Sequence, residues 1–211
     1  MKKIVIIGPE STGKSTLCQQ LAAYYQTLWV PEFAREYLLA LRKQYTFEDL
    51  LIIAKGQIAL EDSFITGMNK QISSKENPAG RTPGAINTGQ TEETSHSPVI
   101  LSTAKDTTHY SHLFIDTDMY VLKVWCEFVF NKCHRWVLEQ IVERKYDLYL
   151  LCNIDLPWTP DELREYPDID ARKRLFRMYL DILINQSIPW VIISGSDEQR
   201  FNHALKVLSD V

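Results

Sequence analysis

The chain has 211 residues, 45% of them apolar and 24% charged, with a formal net charge of -4. That length supports one sizeable core, and the mild negative charge supplies no basic field for a phosphodiester backbone, which excludes a dedicated nucleic-acid-binding protein. The opening MKKIVIIGPE is too briefly apolar for a signal peptide or membrane span, and Cys18, Cys126, Cys133 and Cys152 form no CxxC pair, so a reduced cytoplasmic protein without membrane contact is expected.

Short β-branched or aromatic runs predict strands at 3–8 (KIVIIG), 28–32 (LWVPE), 112–116 (HLFID), 147–153 (DLYLLCN) and 189–194 (PWVIIS). Between them, helical patterns fall near 14–27, 33–43, 47–68, 118–130, 134–145, 170–186 and 197–209. Strands that are apolar almost throughout are covered on both faces, and their alternation with helices predicts an α/β fold with a parallel sheet. From about 69 to 108 the chain turns to Ser, Thr, Asn, Gly, Pro and Glu, with only Val99, Ile100 and Leu101 as an apolar run. This stretch is expected to be a mobile surface insertion in a single domain spanning 1–211.

Residues 8–15, GPESTGKS, fit G-x-x-x-x-G-K-[ST] and lie between the first strand and the first helix, the context in which that pattern cradles phosphate. Gly8 and Gly13 permit the tight turn that points backbone N–H groups inward, toward the positive end of the helix. Gly8, Glu10, Ser11, Thr12, Gly13, Lys14, Ser15 and Thr16 are therefore the candidate ATP site. Lys14 is suited to the β- and γ-phosphates and the Ser15 hydroxyl to Mg²⁺.

Acids stand at two other strand ends. Asp116 closes LFID in the manner of a Walker-B segment and is the second candidate magnesium ligand, while Asp118 is suited to capping the next helix. Glu32 ends the second strand, where the ligand crevice of an open α/β sheet lies, and is placed to accept or orient the proton of an attacking hydroxyl. Arg35, one helical turn on, either clamps phosphate or pairs with Glu32 or Glu36. After the fourth strand Pro157, Pro160 and Pro167 bracket a short segment bearing Arg164, and Arg172 begins a long helix. Guanidinium groups arriving with closure would stabilise charge on a transferring phosphoryl group, and a solvated basic face is the alternative. Gly195 marks a turn after the last strand that either borders the adenine or is a plain turn before a helix capped by Asp197.

Taken together, GPESTGKSTL, VPEFAREY, FIDTDMYVLKVW, YDLYLLCNIDLPWTPDELR and ISGSDEQRF resemble, in order, the ribosylnicotinamide kinase domain of NadR-type proteins, and the resemblance covers most of the chain. The combination of VPE-x-ARE with DLPW-x-x-x-x-LR carries it more than the phosphate loop does. The resemblance implies a P-loop, nucleoside-kinase-like fold with a five-stranded parallel sheet flanked by helices. It also implies ATP-dependent phosphorylation of the 5′-hydroxyl of nicotinamide riboside, by a stand-alone kinase whose P-loop begins at Gly8. Trp125 and Trp158 are then the candidate rings to stack on a flat cationic base, with Tyr120 and Asn131 as candidates for the ribose and core packing as the alternative for each aromatic. A kinase for another nucleoside and a regulatory ATP-binding AAA-type module without turnover are the rival functions. A GTPase is disfavoured because Asn131-Lys132 continues into Cys133-His134 rather than a guanine motif. Nothing in the sequence supports a homo-oligomer.

Overall fold

The computed structural model describes residues 1–76 and 111–210, with 71–76 as backbone. In chain order the elements are β1 (Lys2–Ile7), α1 (Lys14–Tyr24), β2 (Trp29–Val30), α2 (Phe33–Leu41), α3 (Phe47–Glu76), β3 (His112–Asp116), α4 (Met119–Phe130), α5 (Arg135–Glu143), β4 (Leu148–Cys152), α6 (Ile169–Ile184), β5 (Trp190–Ile193) and α7 (Asp197–Ser209). The strands form one five-stranded sheet in the order β2-β3-β1-β4-β5, every neighbouring pair parallel. Among the described residues no helix is long and apolar enough to cross a membrane.

Period-2 alternation divides the strand side chains between two layers. Val5, Ile7, Leu113, Ile115, Tyr149 and Leu151 pack against α4 and α6 through Val121, Val124, Leu175, Tyr179 and Leu183. Ile4, Ile6, Phe114, Leu148, Leu150 and Cys152 pack against α1 and α7 through Leu17, Cys18, Leu21, Ala204 and Leu208. A third cluster, including Ala34, Leu50, Ile53, Leu122 and Val137, joins α2, α3, α4 and α5 into a helical layer beside β2.

The structure departs from the sequence expectations at several ends. The strand expected over 28–32 has only two paired residues, because Pro31 offers no N–H to extend the ladder at this sheet edge. The first helix stops at Tyr24, and Gln26 takes a left-handed φ of 50°. The helix expected over 47–68 continues to Glu76, absorbing the start of the expected insertion, since NKQISSKE contains neither Gly nor Pro and Pro78 lies just beyond. The rest of the 69–108 stretch, with Val99, Ile100 and Leu101, lies outside the described residues. Ser196 rather than Asp197 caps α7, in a capping box with Gln199.

Asp118 caps α4 as expected, its carboxylate accepting the Tyr120 and Val121 N–H groups at 3.0 and 3.3 Å. Its other oxygen accepts the Tyr149 hydroxyl at 2.8 Å, and burial pushes the carboxyl up to about 7. Asp118→Ala removes the cap and strands the Tyr149 hydroxyl in the core. It is expected to lower stability by about 2–3 kcal/mol in urea titrations, with the urea dependence of the unfolding free energy unchanged.

Candidate functional site

The parallel pairing of β1 with β3 sets Ile6 level with Asp116, so the phosphate loop leaving β1 turns directly over that carboxylate. Gly8 has a φ of 142°, and a Cβ there would stand 2.7 Å from the Cys152 carbonyl oxygen of the adjoining β4. Only glycine lets the loop pass this close to the sheet. Inside the loop, buried Thr12 donates its hydroxyl to the Pro9 carbonyl at 2.7 Å, and the Lys14 ammonium donates to the same oxygen at 3.1 Å. Gly13, left-handed, is the residue before α1.

Across 101 residues, the Ser15 hydroxyl donates to Asp116 Oδ2 at 2.5 Å. Asp116 is 1% exposed, and its Oδ1 has no hydrogen-bond partner among the described residues. Burial, then the nearby charge of Glu32, pushes this carboxyl up to about 6, with Lys14 opposing. An orphaned, desolvated carboxylate oxygen beside a serine hydroxyl is a fitting pair of donors for a hard divalent cation.

Glu32 stands at the N-cap of α2 without a side-chain bond to the helix. Gln57 of α3, 1% exposed, brackets it: Gln57 Oε1 accepts the Phe33 N–H at 2.8 Å, and Nε2 donates to the Pro31 and Asp116 carbonyls at 3.2 and 3.4 Å. The spacing between the two acids is thereby held by one amide. Gly56 is what lets α3 come this close, because a Cβ there would meet the Phe33 ring at 2.2 Å. A glycine followed by glutamine inside the apolar run LLIIAKGQIAL was the available sequence signal for this device.

The phosphate loop and Glu32 line a cleft of about 400 Å³. Ala34, Leu38, Tyr45, Trp125, Phe128 and residues 161–166 also line it. Trp125 Nε1 donates to the Tyr45 hydroxyl at 3.0 Å, which donates in turn to Glu165 at 2.7 Å. Phe128 and Tyr166 meet edge to face at 5.0 Å. Tyr45 escaped the sequence reading because it lies in a loop with no motif around it.

Of the residues singled out from sequence, Gly8, Glu10, Ser11, Thr12, Gly13, Lys14, Ser15, Thr16, Glu32, Arg35, Trp125 and Arg164 line this cleft, with Asp116 beneath Ser15. Arg35 pairs with none of the partners considered: its guanidinium forks onto Asp161 at 2.9 and 3.3 Å. Glu10 turns its carboxylate to the backbone N–H groups of Glu165 and Tyr166. Arg172 is buried behind the loop, donating to the Ser11 and Leu156 carbonyls at 3.4 and 3.1 Å, with its guanidinium 5.9 Å from the Trp158 ring.

Trp158, Tyr120 and Asn131 do not line the cleft. Tyr120 packs on Tyr149 at 5.4 Å, and Asn131 ends α4 in the left-handed conformation that asparagine tolerates well. Gly195 has a φ of 99°, donates its N–H to Asp155 at 2.6 Å and sits beside buried Arg200. That arginine, which the sequence reading missed, donates to the carbonyls of Thr12, Asn153 and Gly195 and pairs with Asp155, tying the phosphate loop to the turns after β4 and β5.

Comparison with known proteins follows the same lines. The chain is 24% identical over 218 aligned residues to the trifunctional NAD biosynthesis/regulator protein NadR of Escherichia coli (strain K12) and 23% identical to that of Salmonella typhimurium. The alignments take in 100% of this chain but 43% of each relative, so the chain spans less than half their length. Among solved structures it resembles NadR protein in complex with NAD and AMP-PNP (TM-score 0.61, 19% identity, 99% of this chain and 49% of that one) and NadR in complex with NR (TM-score 0.58, 19% identity, the same coverage). Thymidylate kinase from Ehrlichia chaffeensis shares the fold over 98% of both chains (TM-score 0.56, 12% identity). The fold is thus the P-loop, nucleoside-kinase-like one. The family model described as AAA domain matches residues 3–78 and 90–200, and with its phosphate loop seated between β1 and α1 the chain belongs to that family.

Proposed function

We propose that this protein is a kinase that transfers the γ-phosphoryl group of ATP to the 5′-hydroxyl of nicotinamide riboside, giving nicotinamide mononucleotide. The observation that carries the reading is that Glu32 lines the same cleft as the phosphate loop, with Asp116 beneath Ser15 and aromatic side chains in the same lining. A nucleotide-binding module without turnover has no need of a second carboxylate facing an acceptor pocket.

Ser15 and Asp116 are the residues that would hold Mg²⁺, which when bound supplies the positive charge that offsets the phosphate oxygens. The loop N–H groups and the N-terminus of α1 bind the phosphates, and Lys14, released from the Pro9 carbonyl, reaches the β- and γ-oxygens. Glu32, held by Gln57 and free of helix-capping duty, accepts a hydrogen bond from the acceptor hydroxyl and takes its proton as the oxygen attacks phosphorus. Arg164, in the lining of the cleft, stabilises the charge on the departing phosphoryl oxygens.

The substrate name rests on the aromatic part of the lining. Tyr45, Trp125, Phe128 and Tyr166 offer flat faces, and Glu162 and Glu165 add negative charge beside them, a setting suited to a flat cationic ring. The NadR structures that share this fold are complexes with NAD and AMP-PNP and with NR, which supports the same choice.

Purified protein with Mg-ATP is expected to convert nicotinamide riboside into a product heavier by one phosphoryl group, seen by mass spectrometry, and to stop when a chelator removes the metal. If another nucleoside is phosphorylated and this one is not, the substrate is wrong and the class stands; if no nucleoside accepts phosphate, the kinase reading falls. Lys14→Ala is expected to reduce transfer by more than about 100-fold. Glu32→Gln is expected to lower kcat by about 10²–10³-fold while the KM for ATP stays near wild type, and a matching rise in that KM would remove Glu32 from the proton-accepting role.

A further inference from the structure

Glu10 is electrostatically out of place, since an acidic side chain in a phosphate cradle repels the anion that the cradle exists to bind. Its geometry accounts for it. Both carboxylate oxygens accept the Glu165 N–H at 3.1 Å, and Oε1 also accepts the Tyr166 N–H at 2.5 Å. Next to it in the loop, Ser11 Oγ accepts the Thr159 N–H at 3.0 Å. Two phosphate-loop side chains therefore grip the segment between β4 and α6 on both sides of Arg164.

That segment needs such a grip. Between Pro157 and Pro167 it forms neither helix nor strand; the Leu163 and Arg164 N–H groups turn back onto Asp161 of the same segment, and those of Thr159, Glu165 and Tyr166 take partners from the phosphate loop. Arg164 lines the cleft and donates to the Thr159 carbonyl within the segment, so its position follows the segment as a whole. Burial raises the Glu10 carboxyl against the pull of these two N–H bonds and of Lys14.

We propose that Glu10 is a positioning residue, which seats the 157–168 segment on the phosphate loop and through it holds Arg164 in the cleft. This rests on the kinase reading. Glu10 touches neither phosphate nor acceptor in the role assigned here, and its effect on the reaction passes through Arg164.

Two measurements on the full chain test this, with thermal melting to confirm that each variant is folded. In hydrogen exchange of the protein without nucleotide, Glu10→Gln is expected to speed exchange of the Glu165 and Tyr166 amides by about 10-fold or more, with the α1 amides unchanged. In steady-state kinetics, Glu10→Gln is expected to lower kcat by about 10-fold with the KM for ATP within about 2-fold, and Glu10→Gln combined with Arg164→Ala is expected to be no slower than Arg164→Ala alone. Unchanged exchange at those two amides, or a double variant slowed by the product of the single effects, would overturn the proposal. Should the wild-type protein transfer no phosphate, the kinase reading fails separately, and the exchange measurement by itself decides whether Glu10 holds the segment.

Discussion

The parallel pairing of β1 with β3 is the constraint on which the site depends. It brings two residues 101 positions apart, Ser15 and Asp116, into hydrogen-bond contact at the mouth of the phosphate loop. Both strands are buried on each face, so a slip of one residue would exchange their two layers of side chains, and the register is strongly specified. The geometry of this contact inherits its precision from core packing. An acid placed by a solvated loop would not be held buried with one oxygen left unpaired.

Around that contact the charges are arranged in tension. Burial and then the charge of Glu32 raise the cost of ionising Asp116, Lys14 opposes them, and a fully buried carboxylate resists ionising without a compensating cation. Such strain is common where a bound ligand brings the missing charge. The helical layer prevents the acids from relaxing apart, because Gln57 fastens the backbone on both sides of Glu32 and the carbonyl of Asp116 at once. Gly56 sets the distance at which that amide works.

The segment after β4 is built differently. Besides the packing of Tyr166 on Phe128 it is held by polar contacts from several elements: Glu10 and Ser11 from the phosphate loop, Arg35 from α2 and Tyr45 from the loop before α3. Exposed charge pairs such as Arg35–Asp161 contribute only about 0–1 kcal/mol each. A segment held by many weak bonds can open and close at little cost.

Local signals were sufficient for the strands, most helices and the position of the phosphate loop between β1 and α1, since periodicity and glycine and proline placement act over a few residues. The resemblance to NadR-type kinases, borne out at 24% identity, rested on the order of those same local motifs. What the sequence could not contain was which side chains face one another. Arg35 had plausible partners within its own helix turn and instead chose Asp161, 126 positions away. Tyr120, Asn131 and Trp158 had suitable chemistry but are turned to a core ring, a helix end and a buried arginine. Gln57 and Tyr45 sit in no motif, Arg200 sits in ISGSDEQRF without its partners being legible there, and all three acquire their roles only when sheet order and helix packing bring them against distant segments. By itself the sequence determined the elements and the chemistry of the phosphate loop. Tertiary structure alone decided the partners, because a hydrogen bond or ion pair between distant segments is selected by packing geometry and not by the residues adjacent in the chain.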